Sequence, residues 1–236
     1  MRHPLIRTPN DVVATSPSTL YVTNDHYYRE GGMRALEDLL PVATWTDTVH
    51  ITLSALKGAA AEANIEAKVA IDTIHNNNGI GHGPKLSDTT EEIIITSAAS
   101  GKLHLTTVDD AKYPTLTKHK TISLDYTVDN PYYFHDPHAS ANKDLSGYVL
   151  GGLTQAHKLA GLADDHDLKL ASHVHFILRS ADGKLGEPKL IFEDTGDRVN
   201  MVTTAVMTPI DSGKREAWLW ITGLIGERII AVRVEL

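Results

Sequence analysis

Residues 8–28 read TPNDVVATSPSTLYVTNDHYY. Leu20–Thr23 is a short β-prone run, and Asn24-Asp25 closes it with turn formers. Upstream, Pro9-Asn10-Asp11 sets an amide and a carboxylate in a turn-like context. The same texture continues along the chain. β-rich runs recur at Thr44–Leu53, Ile93–Thr96, Leu103–Thr107, Thr121–Leu124, Val174–Leu178, Leu190–Phe192, Ala217–Ile221 and Ile229–Val234. Ser100-Gly101, Asp182-Gly183 and Ser212-Gly213 are hairpin signals between such runs. Many short strands separated by turns predict an all-β fold: a sandwich, a barrel or a propeller.

Two segments depart from this pattern. Met33–Leu40 (MRALEDLL) spaces its apolar residues as an amphipathic helix does. Ala59–Ala70 is rich in Ala and Glu, and propensity alone predicts helix. Pro137–Gly147 and Ala160–Leu170 are polar and read as surface loops. No domain boundary is visible, so residues 1–236 read as a single domain. Trp218 and Trp220 alternate with Leu219 on a strand and are expected to serve core or blade packing.

Composition removes whole classes of function. The net charge is −8 and basic clusters are lacking, which argues against nucleic acid, since phosphate contacts need concentrated Lys and Arg. With no cysteine, thiol catalysis, disulfides and Cys-ligated zinc are excluded. There is no apolar run long enough for a membrane-spanning helix, and the first residues lack the apolar stretch of a signal peptide. Neither a Gly-x-Ser-x-Gly elbow nor a P-loop occurs.

Three places set a side-chain amide or carboxylate in a turn-like setting: Pro9-Asn10-Asp11, Asn76-Asn77-Asn78-Gly79-Ile80 and Val128-Asp129-Asn130-Pro131. Ca2+ is a hard cation that takes carboxylate and carbonyl oxygens, and an Asn-rich, Cys-free set suits it better than zinc or copper. Each motif, taken singly, fits an ordinary turn better than a ligand position. His173 and His175 share one strand face, His135 and His138 sit in an irregular turn, and His75 and His82 flank the Asn78 motif. Each of these histidines fits an incidental surface or loop position better than a site.

In their order, the motifs resemble the paraoxonase/arylesterase family. Thr8-Pro-Asn-Asp-Val-Val-Ala, then Leu20-Tyr-Val-Thr-Asn-Asp-His-Tyr-Tyr about one hairpin later, is similar to its opening signature. Asn78-Gly79-Ile80, Val128-Asp129-Asn130 and the closing Ile230–Leu236 resemble its later motifs. The resemblance implies an incomplete six-bladed β-propeller, roughly the last four blades, with two calcium ions in the full fold. It assigns Asn10, Asn78, Asp129 and Asn130 to the catalytic ion, Asp11 to the structural ion, Asp25 to the surroundings of the site, and His26 to a catalytic or structural role beside it. It implies a hydrolase of aryl esters, lactones and, in some members, phosphotriesters.

The family's Glu-Asp pair and its two proposed catalytic histidines lie upstream of the Pro-Asn-Asp motif, which here begins at Pro9. Val234 stands where vertebrate members place a C-terminal Cys. An open arc of blades would expose sheet edges and invite self-association. Two accounts stand side by side: an incomplete gene product, or a short member completed by oligomerisation. The second functional reading is accordingly a catalytically inactive propeller fragment acting as a scaffold.

Overall fold

Strands β1 (Pro9–Ser16), β2 (Thr19–Asn24), β3 (Thr46–Leu53) and β4 (Ile65–Ile74) pair in chain order as one antiparallel meander. The pattern recurs with β5 (Asn77–Lys85), β6 (Glu91–Ser97), β7 (Lys102–Val108) and β8 (Leu116–Ser123). It recurs again with β9 (Pro131–Phe134), β10 (Gly147–Leu153), β11 (Ser172–Leu178) and β12 (Lys189–Asp194). The last sheet has three strands, β13 (Val202–Pro209), β14 (Glu216–Gly223) and β15 (Ile230–Glu235). A computed structural model describes residues 3–40, 42–54, 65–88, 90–108, 114–140, 143–163, 165, 167–210, 215–226 and 228–236. The chain forms two compact units, Met1–Ser123 and Leu124–Leu236, each holding two of the sheets. None of the four sheets closes on itself, and the repeated meander fits a propeller-like β fold.

The sheets stack because their inner faces are apolar. In the first unit Val13, Tyr21, Ile74, Ile80, Ile93, Ile95 and Leu116 form one core cluster. In the second, Phe134, Val149, Val174 and Phe176 meet Val202, Ala205, Met207, Leu219 and Ile221. Ile93, Ile94 and Ile95 are fully buried, so β6 is covered on both faces. This explains a continuous apolar run where a half-exposed strand would alternate. Each such side chain contributes about 1.5–3 kcal/mol by leaving water.

Several sequence expectations meet the structure differently. The predicted helix is present as α1 (Gly32–Leu39), but its orientation is inverted. Glu37 is buried while Met33, Leu36 and Leu39 are exposed. The physical reason is that the Glu37 carboxylate accepts the backbone N–H groups of Tyr27 and Tyr28, at 2.8 and 2.9 Å. Trp218 and Trp220 are 39% and 42% exposed; the core takes Ala217, Leu219 and Ile221 from β14 instead. Alternation allows only one of the two sets inside. Within Ala59–Ala70, residues 65–70 belong to β4, and 59–64 lie outside the described residues. Ala156–Ala163 forms a 3-10 turn, so the loop expected over 160–170 begins with helical backbone. Gly183, at φ 81°, makes the expected turn after β11, and Ser212-Gly213 lies outside the described residues. The Asn10 and Asn78 motifs, read as turns, lie within β1 and β5.

One glycine ties the fold to a candidate site. A Cβ on Gly152 would sit 1.7 Å from the Thr127 carbonyl oxygen. Its absence lets residues 127–129 lie against β10, where Thr127 N–H donates to Leu153 O at 3.1 Å and Asp129 N–H to Gly151 O at 3.0 Å. Gly152→Ala is therefore expected to destabilise the second unit by roughly 1–3 kcal/mol or more. Gly32→Ala, where a Cβ meets nothing within 4 Å, should shift stability by less than about 1 kcal/mol, upward. Urea denaturation of the two variants checks the contrast; equal midpoints would contradict it.

Candidate functional site

Two β-bulges shape the first unit's candidate site. Pro9 pairs with Asn24 and Val12 with Val22, so Asn10 and Asp11 together face the single residue Thr23. Likewise Asn77 pairs with Ser97 and Ile80 with Ile95, so Asn78 and Gly79 face Thr96. A bulge re-aims side chains and leaves backbone groups off the ladder. Asp11 Oδ1 accepts Val12 N–H at 2.7 Å, and Oδ2 accepts Ile80 N–H at 3.0 Å from the next sheet. The carboxylate thereby joins the two bulges, bringing the Asn10-Asp11 and Asn78 motifs together.

The three consecutive asparagines do three different things. Asn76, at φ 48°, is a turn residue whose Oδ1 accepts Ala99 N–H. Asn77 is buried, with its N–H donating to Thr46 and its Nδ2 to Thr48. Asn78 Oδ1 is buried and accepts no hydrogen bond, as is also true of Asn77 Oδ1. A buried carbonyl oxygen without a donor is costly in a folded protein, and a cation is one group that would satisfy it. Asn10 is exposed and Asp11 half-buried.

In the second unit, Asp129 and Asn130 precede β9. Asn130 N–H and Nδ2 both donate to Thr203 O, at 3.0 and 3.3 Å, and Nδ2 also donates to Thr204 Oγ1 at 3.0 Å. The amide's donor end is thus engaged by β13, and its carbonyl oxygen is the end left to act as a ligand. Among the described residues, no three His, Asp or Glu side chains gather as a metal-binding group. The candidate donors are instead mainly neutral amide oxygens, which suit a hard cation.

The Asn24-Asp25-His26 segment is held by a buried polar network. Asn24 Oδ1 accepts the N–H groups of Arg7 and Thr8, and Nδ2 donates to Asp47 Oδ1 at 2.6 Å. Arg7 pairs with Asp47 and lies over the Tyr27 ring, 4.5 Å from its centroid. The His26 ring is buried between two carboxylates, with Nδ1 3.1 Å from Asp25 and Nε2 2.6 Å from Asp38. Burial disfavours the imidazolium, but Asp25 and Asp38 outweigh it and hold the imidazole above its ordinary value. Burial likewise pushes Asp25 up, yet His26, Thr8 and Arg34 together leave it below the usual carboxylate range.

Glu37, Asp38 and Asp47 escaped the sequence reading. Only their placement inside α1 or inside the β3 run marks them, and nothing in composition separates them from surface charges. Several of the other histidines are engaged in structure. His75 Nε2 meets Glu37 O at 3.2 Å, and His82 Nδ1 meets Glu91 at 3.0 Å. His104 bridges Ser97 and Thr121, and burial, aided by Lys118 and Lys102, pushes it down to about 4. His173 and His175, half-buried, pack on Tyr126, whose hydroxyl lies 3.0 Å from His175 Nδ1. Asp136 oxygens accept the N–H groups of His138 and Leu145, making the 135–138 segment an Asx turn.

The arylesterase family model matches residues 1–140, more than half of the chain and every candidate ligand above. The chain belongs to the arylesterase family. It is 28% identical over 132 residues to serum paraoxonase/arylesterase 2 of Bos taurus, covering 55% of this chain and 32% of that protein. Identity to the Gallus gallus paralogue 2 is 30% over 130 residues, again 55% of this chain and 32% of the relative. Identity to Homo sapiens serum paraoxonase/arylesterase 1 is 28% over 130 residues, with the same coverage. The matched stretch of this arylesterase-family chain spans about a third of each relative's length.

The His26 clamp has a pH signature. A raised imidazole value means its stabilisation is present in full below about 6.5, the unfolded value, and is lost as pH rises through the folded value. The lowered Asp25 value means its stabilisation is present above about 3.9 and lost as pH falls through the folded value. His26 should titrate above about 6.5 by NMR, and Asp38→Asn should lower that midpoint. A wild-type midpoint at or below the ordinary value would contradict the two-carboxylate clamp.

Proposed function

We propose that the chain is the C-terminal portion, roughly four blades, of a six-bladed β-propeller hydrolase that acts on aryl esters and lactones, and in some settings phosphotriesters, with Ca2+ as its cofactor. In this reading residues 1–236 form one partial domain. Asn10, Asn78, Asp129 and Asn130 hold the catalytic ion through side-chain oxygens, and Asp11 serves the structural one. Bound there, the ion supplies Lewis acidity to the substrate oxygen. The chain's own residues keep that acidity high, because three of the four side chains are neutral amides and only Asp129 brings charge. Asp25 and His26 anchor the adjoining segment and α1.

The observation that carries the reading is Asn78 Oδ1, buried and without a donor, in a bulge docked on the one that bears Asn10 and Asp11. Family membership supports the substrate class.

A second reading, an inactive fragment acting as a scaffold, is favoured by a different observation. The last sheet has three strands where the others have four, and Trp218 and Trp220 lie exposed on it. In that reading self-association through the β15 edge covers apolar surface.

Turnover of phenyl acetate and a simple lactone by the purified chain, with calcium and with EDTA, separates the two. The hydrolase reading expects calcium-dependent activity that Asn78→Ala reduces by about 100-fold or more. Activity indifferent to EDTA would sink the metal assignment. An inactive chain that runs as an oligomer would favour the scaffold.

A further inference from the structure

Thr23 stands at the point where the two bulges meet. It lies on β2 and is fully buried. Its hydroxyl accepts Asp11 N–H at 3.0 Å and donates to Asn78 O, a bond that crosses from the first sheet to the second. A hydroxyl has one donor and two acceptor lone pairs, so both contacts can be made at once. The bulges explain the need. The Asp11 N–H is displaced from the β1–β2 ladder by the extra residue, and the Asn78 C=O is displaced from the β5–β6 ladder in the same way.

The equivalent residue in the second sheet is Thr96, also fully buried and opposite its own bulge. It accepts Gly79 N–H at 2.9 Å and lies 3.3 Å from Gly79 O, both within its own sheet. Thr23 reaches the neighbouring bulge. Together with the Asp11–Ile80 bond it makes two cross-sheet links between residues 10–11 and residues 78–80.

We propose that Thr23 is a positioning residue for the calcium site, whose hydroxyl holds the Asn10-Asp11 bulge and the Asn78 bulge in a single register so that their side-chain oxygens are presented together. The inference rests on the calcium reading above and extends it to a residue that donates no ligand atom. β-Branching suits the task, because Thr has few χ1 choices and the hydroxyl is set before any ion arrives. Valine keeps the shape and removes the hydroxyl, leaving Asp11 N–H and Asn78 C=O without it. Serine keeps the hydroxyl and removes a methyl group.

The test combines calorimetric titration with Ca2+ and amide hydrogen exchange on the full chain, using wild type, Thr23→Val, Thr23→Ser and Asn78→Ala. In wild type the Asp11 amide should be protected although it lies off the strand ladder; fast exchange there overturns the clamp without recourse to any variant. Thr23→Val should speed Asp11 exchange and weaken Ca2+ binding by about 10- to 100-fold, the usual effect of losing a partner behind a metal ligand. Thr23→Ser should recover most of both, with the denaturation midpoint reporting any general loss of fold separately. Wild-type affinity in Thr23→Val overturns the positioning role and leaves the calcium reading intact. Wild type that binds no Ca2+, with Asn78→Ala behaving identically, overturns the calcium reading and the positioning role together, and exchange at Asp11 then decides only whether the clamp itself exists.

Discussion

Both carboxylate oxygens of Asp11 accept backbone amides, one from Val12 in its own strand and one from Ile80 in the next sheet. The first bond settles the bulge that contains Asp11. The second fixes where β5 begins relative to β1. A one-residue slip of either strand would turn its apolar side chains away from the shared core. The contact therefore sets more than a site: Val13, Ile80 and Ile95 reach the same cluster because the two bulges are aligned.

Charge is handled in the first unit by enclosure. Asp47 is buried with Arg7 and Asn24, Glu37 with two backbone amides, and His26 between two carboxylates. Each group is costly to bury alone and acceptable once paired. These pairs pin residues 5–8 and helix α1 onto the first sheet, so the segment around Asn10 is held from both sides. The exposed apolar side of α1 is a consequence. The helix turns its acid inward because two amides wait there, and Met33, Leu36 and Leu39 are left outside.

Much of the strand pattern was legible. Leu20–Thr23, Ile93–Thr96, Val174–Leu178 and Ala217–Ile221 all lie within strands, because β-branched and aromatic runs bounded by turn residues seldom do anything else. β1 and β5 were not legible, since Asn, Asp and Gly at a bulge look like the same residues at a turn. Only pairing with β2 and β6 distinguishes the two. The core placement of Trp218 and Trp220 was not met for a related reason: alternation identifies two faces, and local sequence does not say which face another sheet will cover.

The sequence by itself determined the all-β class, the absence of thiol chemistry and the family, because composition and ordered motifs survive without coordinates. Only tertiary structure decided that Asn78, and not Asn76, leaves a buried oxygen without a donor, and that Asp11 spans two sheets. Those outcomes depend on which backbone groups the ladders leave unpaired. Such pairings join residues 69 positions apart, a separation over which no local preference carries information.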